Sequence, residues 1–337
     1  MNKILVIQTA FLGDVILTTP LISELKLQYP HASIDVMAIP IGGEVWKNNP
    51  DVSSVIIYDK RGKDKGVVPF VNLVLRIRKK KYDWIVSPHR SLRSAAISFF
   101  SGSPKRTAFD TSAGKFLYND LVSYDRNIHE VQRNLSLLST EDPEKEKKPR
   151  IFPSEKEKDR VEAILLKEGL KIRKFATLAP GSVWATKRWP ENYFVALVEK
   201  LKKENISAVL TGGKSDMELS ERIITKAGWG VNLAGKLNPR ESFYLVKKSA
   251  CLLTNDSAPL HLGSAAGVPT VAVFGATIPE FGFGPYGRHP QVVLEAGHLA
   301  CRPCGIHGSQ KCAVGTFACM MNISPETVWN NMRRFLQ

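Results

Sequence analysis

Four short stretches of the sequence combine residue types that handle protons and anions. The first is "TAFLGDVILTTP", where Asp14 follows an apolar run. A carboxylate at such a strand-to-helix turn either caps the helix or takes a proton. As an N-cap it would accept backbone amides, which lowers its pKa and makes it a weak base. The turn lacks the glycines of a dinucleotide-binding fingerprint. The second is "APGSVWATKRWP", with Ser182, Thr186 and Lys187 after a Pro-Gly turn. Turn amides and hydroxyls can approach a phosphate, and a lysine brings a compact positive charge to its oxygens. An ordinary turn with a solvated lysine fits these residues equally well. The third is "LLTNDSAPLHLGSAAGVP", in which Asp256 stands where a helix N-cap belongs and Ser257 and Ala258 supply the first amides. Their N–H groups and the helix dipole form an anion site. A purely structural cap followed by a core-facing His261 is the plainer alternative. The fourth is "LTGGKSD", whose Asp216, with Glu218 close behind, follows a glycine pair and could accept from ribose hydroxyls.

These residues need a frame. "KILVIQ", "SIDVMAI", "VSSVIIYD" and "YDWIVSP" are short apolar strands, and "VILTTPLISELKLQYP" and "VNLVLRIRKK" have helical spacing. Strands alternating with helices predict a parallel, doubly wound sheet. Because Pro20 follows Thr19, the first helix is expected to open there, with Asp14 in a looser turn. Around residues 139–159 apolar content collapses while Pro, Lys and Glu accumulate, which marks a linker. The alternation then restarts with "RVEAILLKEGL", "FATLAP", "ENYFVALVEKLKKEN", "SAVLTGG" and "DMELSERIITKAG", and runs on to "PTVAVFG". A chain of 337 residues exceeds what one core usually supports. The expectation is therefore α/β, with Rossmann-like domains over residues 1–150 and 151–322, a C-terminal helix over 323–337, and a ligand cleft facing the carboxyl ends of both sheets.

The formal net charge of +15 favours a polyanionic partner, whether nucleic acid, an anionic membrane or a phosphorylated substrate. Between Lys60 and Lys81 nine basic side chains accompany one Asp, and a solvated surface accounts for such a run as readily as a binding site does. No apolar run approaches the roughly 20 residues that span a bilayer, and Asp14 interrupts any signal-peptide pattern, so a cytoplasmic location is expected. Cys301, Cys304, Cys312 and Cys319 form C-x2-C-x7-C-x6-C. That spacing suits free thiols, disulfides or a structural metal site.

Taken together, "GDVILTTPLISELKLQYP", "PGSVWATKRWP", "LTGG", "NLAGKL", "NDSAPLHLGSAAGVPTVAVFG" and the closing cysteine segment resemble the bacterial lipopolysaccharide heptosyltransferases, glycosyltransferase family 9. The pattern is most like the heptosyltransferase II branch. The resemblance implies an inverting, metal-independent and cofactor-free glycosyltransferase of GT-B architecture, with an N-terminal acceptor domain and a C-terminal ADP-heptose domain. It implies Asp14 as general base, Lys187 and the Ser182–Thr186 region at the diphosphate, and Asp256, Ser257, Ala258 and His261 beside the departing ADP. Asp216 would approach the ribose and Leu237 the adenine. The acceptor would be heptosyl-Kdo2-lipid A, met at the inner face of the cytoplasmic membrane by Lys60, Arg61, Lys63, Arg90, Arg93 and Arg106. Family members commonly have Gly where this chain has Ala258. Heptosyltransferase I or another family 9 sugar transferase is the nearest rival. A basic nucleic-acid-binding protein explains the charge but not the phosphate-type turns, and no nucleic-acid partner is expected.

Overall fold

The computed structural model describes residues 1–138 and 147–336. The backbone divides into two compact units, Met1–Phe152 and Pro153–Gln337.

The first unit runs β1 (Lys3–Ile7), α1 (Leu12–Gln28), β2 (Ser33–Ala38), α2 (Pro40–Trp46), β3 (Ser54–Ile57), α3 (Val67–Lys79), β4 (Trp84–Ser87), α4 (Leu92–Phe100), β5 (Lys105–Phe109), β6 (Asp120–Val122) and α5 (Glu130–Ser136). Its six strands are all parallel, in the order β3-β2-β1-β4-β5-β6. The central strands read as continuous apolar runs because both faces of a parallel sheet are covered. Leu5 and Ile7 of β1 pack with Leu73, Val74 and Ile77 of α3 and Ile97 of α4. Ile4 and Val6, which alternate with them, are buried too, and α1 packs against α2 and α5.

Helix α1 does not open at Pro20 as the sequence suggests; it begins at Leu12, with Phe11 as N-cap and Pro20 inside it. Pro20 has no N–H for the Ile16 carbonyl one turn back. The Thr19 hydroxyl takes that role, donating to Ile16 O at 2.7 Å and accepting from the Arg150 amide at 2.9 Å. The interior proline is tolerated because its neighbour satisfies the orphaned carbonyl.

The second unit runs α6 (Glu155–Lys167), β7 (Phe175–Ala179), α7 (Glu191–Lys203), β8 (Ser207–Leu210), α8 (Met217–Ala227), β9 (Val231–Asn232), α9 (Pro239–Lys248), β10 (Cys251–Asn255), α10 (Ala258–Ala266), β11 (Thr270–Phe274), β12 (Gln291–Glu295), α11 (Ala318–Met321) and α12 (Pro325–Met332). Its parallel order, β12-β11-β10-β7-β8-β9, is the same winding as that of the first sheet. On one face Ala176, Leu178, Leu253 and Val273 meet Phe194 and Leu197 of α7 and Val328 and Trp329 of α12. On the other, Phe175 and Val209 meet Val161 and Leu165 of α6 and Leu245 of α9.

Of the low-apolar stretch 139–159, residues 139–146 lie outside the described residues, and Glu155–Asp159 are helical rather than linker. The cause is a capping box: the Ser154 hydroxyl accepts from the Glu157 amide, and the Glu157 carboxylate accepts from the Ser154 amide at 2.8 Å.

Candidate active site

In both sheets the winding reverses between the first and fourth strands, and in such folds ligands bind outside the carboxyl ends of the strands at that reversal. Asp14 lies just beyond the turn after β1, in the first turn of α1, and the turn after β4 carries His89 and Arg90. In the second unit the turn after β7 carries Ser182 and Lys187, and the turn after β10 carries Asp256 and Ser257.

Asp14 lies in the first turn of α1 and is not its N-cap; Phe11 holds that position. The expected drop in pKa is therefore reversed. Burial, and then the charge of Glu130, push the Asp14 carboxyl up from 3.8 to about 7, against the pull of nearby backbone amides and of Arg90. Glu130, in the first turn of α5, is buried and accepts from Arg133 at 3.1 Å and from the Tyr124 hydroxyl at 3.3 Å. The Arg90 guanidinium stacks over the Tyr124 ring at 4.1 Å.

Lys60 joins this group by donating to Thr9 O at 2.7 Å, and the Thr9 hydroxyl lies 2.9 Å from His89 Nδ1. Burial, with Lys60 and Arg90 nearby, lowers His89 to about 4, so its ring is neutral at physiological pH. Burial and the charges of Arg61 and Arg93 lower the Lys60 pKa. Arg61, Lys63 and Arg93 point to solvent in the same region. Arg106 does not join them. It sits at the amino end of β5, where its guanidinium donates to Ser103 O and Leu117 O at 2.6 and 3.1 Å.

In the second unit Lys187 and Asp256 form a buried ion pair, Nζ to Oδ2 at 2.5 Å, and the Thr277 hydroxyl donates to the same carboxylate oxygen at 2.6 Å. Held in this way, Asp256 is not the cap of α10. Ser257 is, in extended conformation and without a side-chain cap bond. The Asp256 amide is occupied by Val273 O and Pro259 has none, so Ser257 and Ala258 present the leading amides of the helix. An ammonium group next to a helix N-terminus can receive an anion, although here its charge is shared with the Asp256 carboxylate. Buried Asn255 fixes the two turns against each other, donating to Pro180 O at 2.9 Å and accepting from the Trp189 amide at 3.1 Å.

A sequence model of glycosyltransferase family 9 (heptosyltransferase) matches residues 70–311. The chain belongs to glycosyltransferase family 9. Lipopolysaccharide heptosyltransferase 2 of Escherichia coli K12 is 28% identical across 99% of this chain and 98% of its own, and that of Salmonella typhimurium is 27% identical across 83% and 84%. The solved E. coli ADP-heptose LPS heptosyltransferase II has a TM-score of 0.80 at 26% identity, covering 99% of this chain and 98% of that one. A family 9 glycosyltransferase from Veillonella parvula has a TM-score of 0.87 at 24% identity, over 99% and 97%, a likeness of fold. The protein is thus a glycosyltransferase with the two-domain GT-B fold expected from its sequence. These relatives do not favour the nucleic-acid reading.

The remaining expected site residues of this family 9 enzyme are placed as follows. Ser182 is buried; its carbonyl accepts from Arg188 at 2.8 Å and its hydroxyl lies 3.4 Å from the Trp184 amide. Thr186 is tied to the cysteine segment: its hydroxyl donates to Ser309 O at 3.0 Å and accepts from the Ser309 amide at 2.8 Å. The Asp216 carboxylate accepts from the Gly213 amide at 2.8 Å and fills the space beside Gly181 and Gly212 that a Cβ would need. Glu218 is exposed in the first turn of α8. Leu237 packs, half-buried, against the cluster of Val161, Leu165 and Tyr244. His261 is buried in α10.

Cys301, Cys304, Cys312 and Cys319 are free thiols lining one small cavity with Thr186 and Arg302, and no group of three or more His, Cys, Asp or Glu among the described residues is arranged to hold a metal ion.

Sequence reasoning passed over Glu130, Tyr124, Asn255 and Thr277. Glu130 and Arg133 carry a weak signal, opposite charges three apart on a helix. Nothing in the sequence shows that the pair approaches Asp14.

Proposed function

We propose that this family 9 glycosyltransferase moves heptose from ADP-heptose to the inner-core heptose of lipopolysaccharide, as a heptosyltransferase II. The observation that carries the reading is Asp14, a carboxylate with a pKa of about 7 at the winding reversal of the first sheet. Such a group can accept a proton at neutral pH. In the proposed reaction an acceptor hydroxyl attacks the anomeric carbon and its proton passes to Asp14. The bond from that carbon to the ADP oxygen breaks as the new one forms, with inversion. The electron pair leaves on the diphosphate, whose charge Lys187 and the amides of Ser257 and Ala258 stabilise. Lys60, Arg61, Lys63, Arg90 and Arg93 are proposed to receive the phosphates and sugar acids of the acceptor. Similarity to heptosyltransferase 2 along the whole chain supports this choice over heptosyltransferase I.

Among the described residues no helix is long and apolar enough to cross a membrane. Because the acceptor is a glycolipid, the proposal locates the enzyme in the cytoplasm, at the inner face of the membrane.

Thermal unfolding with ADP, UDP, GDP and single-stranded DNA tests the donor assignment. ADP at a hundred times its dissociation constant is expected to stabilise the protein by about 2.7 kcal/mol, with UDP and GDP well below. A UDP preference, or a response to DNA alone, would overturn it.

A further inference from the structure

Four large apolar side chains on the first unit take no part in the proposed sugar transfer. The starts of α3 and α4 and the turn Lys115–Leu117 expose Val67 (77%), Val68 (70%), Leu92 (57%) and Phe116 (81%). They share one neighbourhood: α3 packs on α4, α4 packs on the 115–117 turn, and Leu92 Cδ1 lies 2.7 Å from where Gly114 would carry a Cβ. Arg61, Lys63 and Arg93, proposed above to meet the acceptor, are exposed among them together with Lys65 and Lys115.

Helices α3 and α4 and the 115–117 turn contain no Asp or Glu. The two acids of the preceding loop are engaged by backbone amides: half-exposed Asp59 accepts from the Gly62 amide at 3.0 Å, and buried Asp64 accepts from the Asp59 amide at 2.7 Å. Lys60, in the same loop, donates to Thr9 O next to the Asp14 group.

A polyanion in water would pair with the cations and leave four large apolar side chains wet. An anionic bilayer surface accommodates both sets, with phosphates at the level of the cations and acyl chains beneath. We infer that this rim docks the enzyme on anionic phospholipid, with Val67, Val68, Leu92 and Phe116 at the boundary between headgroups and acyl chains. The inference rests on the heptosyltransferase reading only in that the acceptor is then lipid-anchored.

The test is sedimentation of the full chain with vesicles of phosphatidylcholine alone or of equimolar phosphatidylcholine and phosphatidylglycerol. The protein is expected to partition onto the mixed vesicles and far less onto the neutral ones. The combined substitutions Val67→Ser, Val68→Ser and Phe116→Ser should weaken that partitioning at least about tenfold, through lost apolar burial, while transfer to a deacylated, water-soluble acceptor stays at the wild-type rate. No binding to mixed vesicles, equal binding to neutral ones, or undiminished binding by the triple variant would overturn the inference. Vesicle binding by a wild-type protein that cannot use the soluble acceptor would leave the docking surface standing and remove the transfer reading.

Discussion

At the scale of single residues, the proposed chemistry rests on Asp14. A carboxylate near pKa 7 is a far better proton acceptor at neutral pH than an amide-capped one, and like charge from Glu130 helps to keep it there. Asp14→Ala should lower kcat by more than about a hundredfold, the range of a lost general base, with circular dichroism unchanged. In the wild type kcat/KM should rise with pH and level near 7, and Glu130→Gln should move that bend downward. The same shift affects stability. Between 3.8 and about 7 the folded protein binds more protons at Asp14 than the unfolded chain does, so this group costs stability progressively as pH rises through that window. Asp14→Asn should therefore gain in melting temperature over wild type from the bottom of the window to the top. The buried Lys187–Asp256 pair behaves differently. Lys187→Met alone leaves a buried carboxylate unpaired and should cost about 3–5 kcal/mol in urea unfolding. Adding Asp256→Asn should restore most of that stability but not the lost turnover.

At the scale of elements, α1 depends on one hydroxyl. Thr19→Val removes the donor to Ile16 O and the acceptor for the Arg150 amide, and should cost about 1–3 kcal/mol in chemical denaturation. The case also shows where sequence reading stops. The central strands and most amphipathic helices are legible because parallel sheets leave continuous apolar runs. The start of α1 is not, because the proline rule assumes a carbonyl with no substitute donor. Helix α6 is longer than its apolar spacing suggests because the capping box begins it among charged residues. Short β6 and the half-exposed edge strand β12 carry too little apolar signal to register. In the site, the turns after β1, β7 and β10 are visible as turns, but the Asp256–Lys187 pairing and the Asp14–Glu130 approach join distant positions and need the fold. Arg106 looked equivalent to Arg90 in sequence; the direction of β5 places it at the other end of the strand.

At the scale of the whole molecule, two units without visible sequence repetition share one strand order, and each offers its candidate residues at the same topological position. The candidate residues are concentrated at strand ends and in turns, while the mass of the chain serves to hold them. The segment after β12 belongs to that holding structure. Trp189 gives its indole N–H to Ile323 O at 2.8 Å, and Ile323, Val328, Trp329 and Met332 complete the cluster under α7. A premature stop codon after Asn322 would remove no residue assigned to either substrate, yet it would strip the cover from that cluster and strand a buried indole. Such an allele should be lost through degradation in the cell rather than through a failed reaction, leaving little polypeptide to assay.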